Sequence, residues 1–273
     1  MNNRLTVAAV AGALVPIVLF GNAIAQAGLV LVHEYAANAN TPPQNPNTQG
    51  WTEISDRGVN NPPGSDAAVA VAITNDNGTG LNAWSIVDDD GNGAEDLYYL
   101  AAFGFTPDQV AKARTEGFIY RWRLRIPDVT PISRAITTEV RVQTSVSDRL
   151  RFILQMGRTS TDLAAEIIAG SAGTVTGSLP VADPGGYHDW EMRFDGPPSE
   201  LRLSVDGIRL LTTTIDFNDS GHALLFGSRT SGVGTGNWNR VQFFTGVPEP
   251  ATAGLLALLA PAALLRRPRR GRL

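Results

Sequence analysis

The chain has no cysteine in 273 residues, which excludes a disulfide framework, a cysteine nucleophile and a thiolate metal site in any redox compartment. Lysine is nearly missing as well: the basic residues are 21 Arg and Lys112 alone. Histidine is confined to His33, His188 and His222, with no His-x-x-x-His pair to hold zinc. Charged residues make up only 18%, too few for a coiled coil or long salt-bridged helices. What is there is 43% hydrophobic residues with 28 Gly and 17 Pro. That is enough apolar surface for a core, broken by many turns, so a disordered chain is excluded and short strands are favoured.

Charge divides unevenly along the chain. Arg4 and the five Arg between positions 266 and 272 sit in the two ends; without them and Glu249, 16 basic residues face 25 acidic ones, so the middle carries −9 against −4 for the whole chain. Nucleic acid is excluded as a partner, because neutralising phosphates needs a basic surface.

Both ends read as addresses. Met1 to Arg4 supplies one positive charge, Leu5 to Phe20 is mostly apolar, and small-x-small sites follow at Ala23-Ile24-Ala25 and Ala25-Gln26-Ala27. This predicts a signal peptide over residues 1–27, cut by signal peptidase after Ala25 or Ala27, with an uncleaved membrane anchor as the alternative. At the other end Val247-Pro248-Glu249-Pro250 precedes a largely apolar run from Ala251 to Leu265 and then the basic residues Arg266, Arg267, Arg269 and Arg270. Prolines flanking a carboxylate cannot sit in a helix interior, the run is just long enough to enter a bilayer, and the Arg cluster would stay cytoplasmic as a stop signal. This order over residues 247–273 resembles the PEP-CTERM sorting signal of Gram-negative bacteria. The resemblance implies an exosortase that removes the tail, an inner-membrane intermediate held by a C-terminal hydrophobic helix, and delivery to the cell surface or an exopolysaccharide matrix. A permanent single-pass anchor is the alternative.

Residues 28–246 read as one all-β domain. Phe118, Tyr120, Trp122, Leu124 and Ile126 alternate with Ile119, Arg121, Arg123 and Arg125; Ile136, Thr138, Val140 and Val142 alternate with Thr137, Glu139, Arg141 and Gln143. Period two puts one set in a core and the other outward. Leu150, Phe152, Leu154 and Met156 continue the pattern, as do Trp190, Met192 and Phe194, then Leu203 and Val205 before the hairpin signal Asp206-Gly207. One helix interrupts, with Thr106 as N-cap, Pro107 at its first position, Gln109 placed for a capping box and Gly117 as its stop. The segment Ala36 to Pro63 is expected as a surface excursion or part of the first hairpin.

Trp84 to Asp88, the Trp122 strand, Trp190-Glu191-Met192, Val205-Asp206-Gly207, Phe226-Gly227-Ser228 and Gly236 to Val241 together resemble the concanavalin A-like, laminin-G-like jelly roll. The resemblance covers most of Gly50 to Phe244. It implies an antiparallel two-sheet sandwich, usually a binder of glycans or proteins. Fold does not fix function.

Candidate chemistry is sparse. Asp88, Asp90 and Asn92, with Asp96 four positions on, match the first, third, fifth and ninth positions of a calcium loop. Tyr99 stands where the closing Glu belongs, so a solvated turn is the alternative and calcium is an optional cofactor, none being required. Asn75-Asp76-Asn77-Gly78 reads as a plain turn, and His188 shares the parity of Trp190 and so reads as a core or sheet-end residue. Asp189 and Glu191 share a strand face, as glycosidase carboxylates can, but the glucanase pattern Glu-x-Asp-x-x-Glu is absent. Arg121, Arg123, Arg125, Arg141, Arg149, Arg151, Arg193 and Arg202 are expected outward, either in cross-strand pairs with Glu139, Asp189 and Glu191 or as forks for an acidic polysaccharide. Trp51, Trp84 and Trp238 lie near loops, where they would stack on sugars if exposed. The expectation is an exported, non-catalytic glycan- or protein-binding protein. A purely structural surface protein and, last, a polysaccharide-cleaving enzyme are the alternatives.

Overall fold

The computed structural model describes residues 29–55, 68–88, 97–101, 105–145, 148–169, 173–196, 200–213, 223–228 and 232–246. The predicted signal peptide, the Pro-Glu-Pro motif, the C-terminal apolar run and its Arg cluster lie outside them. Val30 to Gly246 forms one compact unit.

Two antiparallel sheets make a β-sandwich. The first has the strand order β13 (Ile208–Thr213), β12 (Leu201–Val205), β11 (Tyr187–Phe194), β6 (Phe118–Arg125), β15 (Gly234–Thr245), β4 (Ala83–Asp88) and β3 (Val69–Ile73). β1 (Val30–Ala36) also pairs with β15, along Arg240 to Thr245, while β4 takes Gly234 to Trp238. The second sheet runs β10 (Gly173–Pro180), β9 (Asp162–Ala169), β8 (Asp148–Arg158), β7 (Thr130–Ser145), β14 (Ala223–Ser228), β5 (Leu97–Ala101) and β2 (Thr52–Ser55). The expected surface excursion after Ala36 is thus a crossing from one sheet to the other, through two short 3-10 turns, Ala37–Ala39 and Pro46–Gln49.

Tyr35, Trp51, Tyr99, Trp238 and Phe243, which alternation did not select, are buried in the core. The residues that alternation selects belong there too: Phe118, Tyr120, Trp122 and Leu124 from β6, Val140 and Val142 from β7, Phe152, Leu154 and Met156 from β8, Trp190 and Met192 from β11, Leu203, Val205 and Phe226 are all buried. Leu150 belongs to the same series, but its side chain lies outside the described residues. Trp122 and Trp190 face each other in register and stack at 6.2 Å with 11° between planes, a pairing that adds about 0.5–1.5 kcal/mol to the burial itself.

Three outward expectations need correction. Ile119, Thr137 and Glu139 have the solvent parity, yet all are buried. Ile119 is flanked in register by Arg193 and Phe244. Glu139 is flanked by Leu225 and is ion-paired along its own strand with Arg141, two residues on. A buried carboxylate needs such a partner.

Helix α1 (Pro107–Thr115) forms where its signals stand. Thr106 Oγ1 accepts from Gln109 N–H, and Gln109 Oε1 accepts from Thr106 N–H at 2.8 Å. Gly117, at φ 101°, ends it. The helix packs on β7, β15 and β6, at the end of the sandwich where the chain enters at Val30 and leaves at Gly246.

Candidate functional site

The outer face of the first sheet collects the Arg series predicted from the sequence. Register places Arg209, Ser204, Glu191, Arg121, Gln242 and Glu34 in one row across six strands, from β13 to β1. Within it, Arg121 Nε donates to Glu191 Oε2 at 2.7 Å and Gln242 Nε2 donates to Glu34 Oε1 at 2.7 Å. The Arg121 guanidinium also lies over the Phe244 ring, 5.6 Å from its centroid.

The next row holds Asp189, Arg123 and Arg240. Arg123 grips Asp189 with two bonds, Nε to Oδ1 at 2.8 Å and Nη2 to Oδ2 at 2.6 Å, the fork geometry that makes guanidinium–carboxylate pairs strong. Partial burial alone would raise the Asp189 carboxyl, but the bonds and charge of Arg123, with Arg240 and Arg121 nearby, outweigh it and hold the group below the usual carboxylate range. The Arg123 guanidinium is held above its ordinary value by the same bond.

Arg240 was not among the residues expected outward, and the reason is a register shift. Trp238 points into the core, so strict alternation would point Arg240 there too. A β-bulge between them inserts Asn239 and turns Arg240 out. Its Nη2 stands 3.6 Å from Asp189 Oδ1, and its buried Nε has no hydrogen-bond partner.

Arg125 takes a different part. Its Nη1 donates to Asp76 Oδ1 at 2.9 Å, while Tyr187 Oη and Asn237 Nδ2 each donate to Asp76 Oδ2 at 2.8 Å. The expected plain turn at Asn75 to Gly78 therefore closes on the sheet through a buried carboxylate. Burial first, and then the bond to Asp76, push the Tyr187 phenol well above its ordinary range. Arg193 and Arg202 both pair with Asp195. The side chains of Arg149 and Arg151 lie outside the described residues.

Asp206 and Gly207 form the tight hairpin turn, at φ 50° and 78°. Asp206 accepts from Asp189 N–H at 2.9 Å through Oδ1, and its Oδ2 lies 2.6 Å from His188 Nδ1. The other ring nitrogen of His188 faces the Asp183 carbonyl at 2.7 Å, so this buried histidine is a sheet-end clamp, as its parity implied.

The three tryptophans placed near loops are not available for stacking. Trp51, Trp84 and Trp238 are 2%, 8% and 0% exposed. Trp51 lies against His33 and Phe226, Trp238 against Phe226, and Trp84 donates from Nε1 to Tyr99 Oη at 2.9 Å. An indole in a core gains more from burial than an exposed loop position offers. Of the calcium series only Asp88 is described. It is buried and accepts from the Ser228 hydroxyl; Asp90, Asn92 and Asp96 lie outside the described residues. Among the described residues no group of three His, Asp or Glu is placed to hold a metal ion.

Between the two rows lies an open depression of about 330 Å³ with Arg121, Asp189, Glu191, Ser204 and Arg240 on its walls. That volume is at the small end of the ~300–1,000 Å³ range of ligand sites.

No family model and no curated protein matches the chain. Solved structures do. The conserved carbohydrate esterase of Shiga toxin-encoding bacteriophage phi24B superposes with a TM-score of 0.54 at 15% identity, over 80% of this chain and 100% of that one. An endo-β-galactosidase from Clostridium perfringens that releases GlcNAcα1-4Gal superposes with a TM-score of 0.52 at 12% identity, over 81% of this chain and 63% of that one. At these identities the likeness is one of fold.

Proposed function

We propose that the domain is a non-catalytic glycan-binding module of the concanavalin A-like jelly-roll type, carried by an exported protein of the cell envelope or extracellular matrix. The observation that carries the reading is the row from Arg209 to Glu34, which sets donors and acceptors side by side across six strands. Strands are ~4.8 Å apart, about the length of one pyranose in an extended chain. A polysaccharide lying across the strands would meet a fresh polar group at each sugar. The two neighbours of similar fold act on carbohydrate by their own descriptions, which is consistent with this reading. Binding is favoured over hydrolysis because Asp189 and Glu191 each sit in an Arg ion pair, whereas a glycosidase needs one of its two carboxyls protonated at working pH.

Export by signal peptidase and sorting by an exosortase rest on the sequence pattern of residues 1–27 and 247–273. A purely structural surface protein is the second reading, and the same ion pairs favour it, since they already engage Arg121 and Arg123. The deciding experiment arrays the protein against polysaccharides from its own producer, with and without Ca²⁺, and assays the same samples for chain shortening. Retention without shortening is expected. Shortening would replace the binding reading with an enzymatic one, and no retention would leave the structural reading.

A further inference from the structure

We infer that Arg240, with Arg121 and Ser204 beside it, forms a receptor for the carboxylate of a uronic-acid residue in the bound glycan. The inference rests on the glycan-binding reading above and names its ligand class. Arg121 and Arg240 line the depression with Asp189 and Glu191, and Arg123 holds Asp189 from the same row. Glu191 is satisfied by Arg121, and Asp189 by the two-bonded grip of Arg123. Asp206, next along this edge, is engaged by His188 and by the Asp189 backbone. Arg240 is the guanidinium with no hydrogen-bonded carboxylate: it stands 3.6 Å from Asp189, beyond hydrogen-bond distance, and its side chain is 37% exposed beside the depression.

Its hydrogen-bonding capacity is also unspent. The buried Nε–H has no acceptor, a state that costs free energy; that atom is closed to solvent, so the edge a ligand can reach is the one formed by the two terminal nitrogens of the partly exposed side chain. A carboxylate is the acceptor whose planar pair of oxygens matches a guanidinium edge, which gives a fork and not a point contact. The bulge at Asn239 supports the same assignment, because it is the device that turns this Arg out of the core and toward the depression. Ser204, in register with Glu191 on the adjacent wall, supplies a hydroxyl for a ring oxygen or hydroxyl of the same sugar.

The test is calorimetry of the full-length chain with polygalacturonate, its methyl ester and neutral galactan. Arg240→Gln should weaken binding of polygalacturonate by ~10- to 100-fold, leave galactan unchanged, and leave the thermal melt unchanged. The methyl ester should bind the unaltered protein as weakly as the acid binds the variant. Arg240→Lys, which keeps the charge and loses the fork, should fall between. Equal affinity for acid and ester, or equal affinity of R240Q and the unaltered protein for the acid, overturns the uronate receptor. If galactan still binds in that case, the glycan reading survives; if none of the three polymers binds, the uronate receptor is overturned, and the glycan reading is decided by the array of the producer's own polysaccharides.

Discussion

Asp76 accepts hydrogen bonds from a guanidinium, a phenol and an amide drawn from β6, β11 and β15, with its own side chain 6% exposed and that of Arg125 13%. Asp76→Ala would leave Arg125 without its carboxylate in a poorly solvated place, and such losses cost about 3–5 kcal/mol. Urea denaturation should show that loss, with Asp76→Asn milder because it keeps one acceptor; a cost near zero would mean water replaces the carboxylate. Asp189 makes a pH-dependent contribution. Its folded carboxyl titrates below the ordinary value of 3.8, so it adds stability above that pH which is lost as pH falls through the folded value. Asp189→Asn should therefore shrink the stability difference between pH 7 and pH 3, read as the shift in urea midpoint. Neither residue's partner was equally plain in the sequence. Alternation put Asp189 and Arg123 on outward faces, and only the long-range pairing of their strands brings them opposite each other, whereas Asp76 lies in a turn 49 positions from Arg125, and nothing local marks it as anything but solvated.

Among the elements, β14 shows why one short motif has the residues it has. Gly227 stands at φ 143°, and a Cβ there would come within 2.6 Å of the Leu97 carbonyl oxygen and the Tyr98 Cα on β5. Backbone is what it would strike, so Gly227→Ala should cost about 3 kcal/mol or more, from strain and from pushing β5 away. A melting curve within a degree or two of the unaltered protein would refute that account. The helix offers the opposite case. Its capping box and proline were legible because they are local chemistry, and Thr106→Ala should cost about 1 kcal/mol by the same measurement. The β15 bulge was not legible, since Asn237 and Asn239 are equally compatible with regular strand and with an inserted residue, and nothing in Asn-Trp-Asn-Arg marks which position is the extra one. One inserted residue reversed the side on which Arg240 lies.

For the molecule as a whole, alternation was enough to identify an all-β domain and the part of its core on β6, β7, β8, β11 and β12, while the aromatic cluster of Tyr35, Trp51, Tyr99 and Trp238 was missed. The strand order was not available from alternation, because β6 lies between β11 and β15 and β7 lies beside β14, pairings that depend on long-range fit and not on neighbouring residues. Processing of the ends is predicted at this scale: the native protein should have an intact mass lacking residues up to Ala25 or Ala27 and the tail beyond Pro248 to Pro250. A chain still carrying Arg266 to Arg272 would defeat it. The pairing of Val30 with Thr245 adds a mechanical consequence. Pulling the two ends of the domain apart loads the β1–β15 bonds one after another, so β1 should peel away at low force. A load between the C-terminal end and a polymer gripped on the sheet's outer face instead puts β15 in shear, where its bonds to β6 on one side and to β1 and β4 on the other resist together. If the C-terminal end is anchored and a polymer is held on the outer face as proposed, the domain would hold against a pull between the two, and it would yield first when stretched between its own two ends.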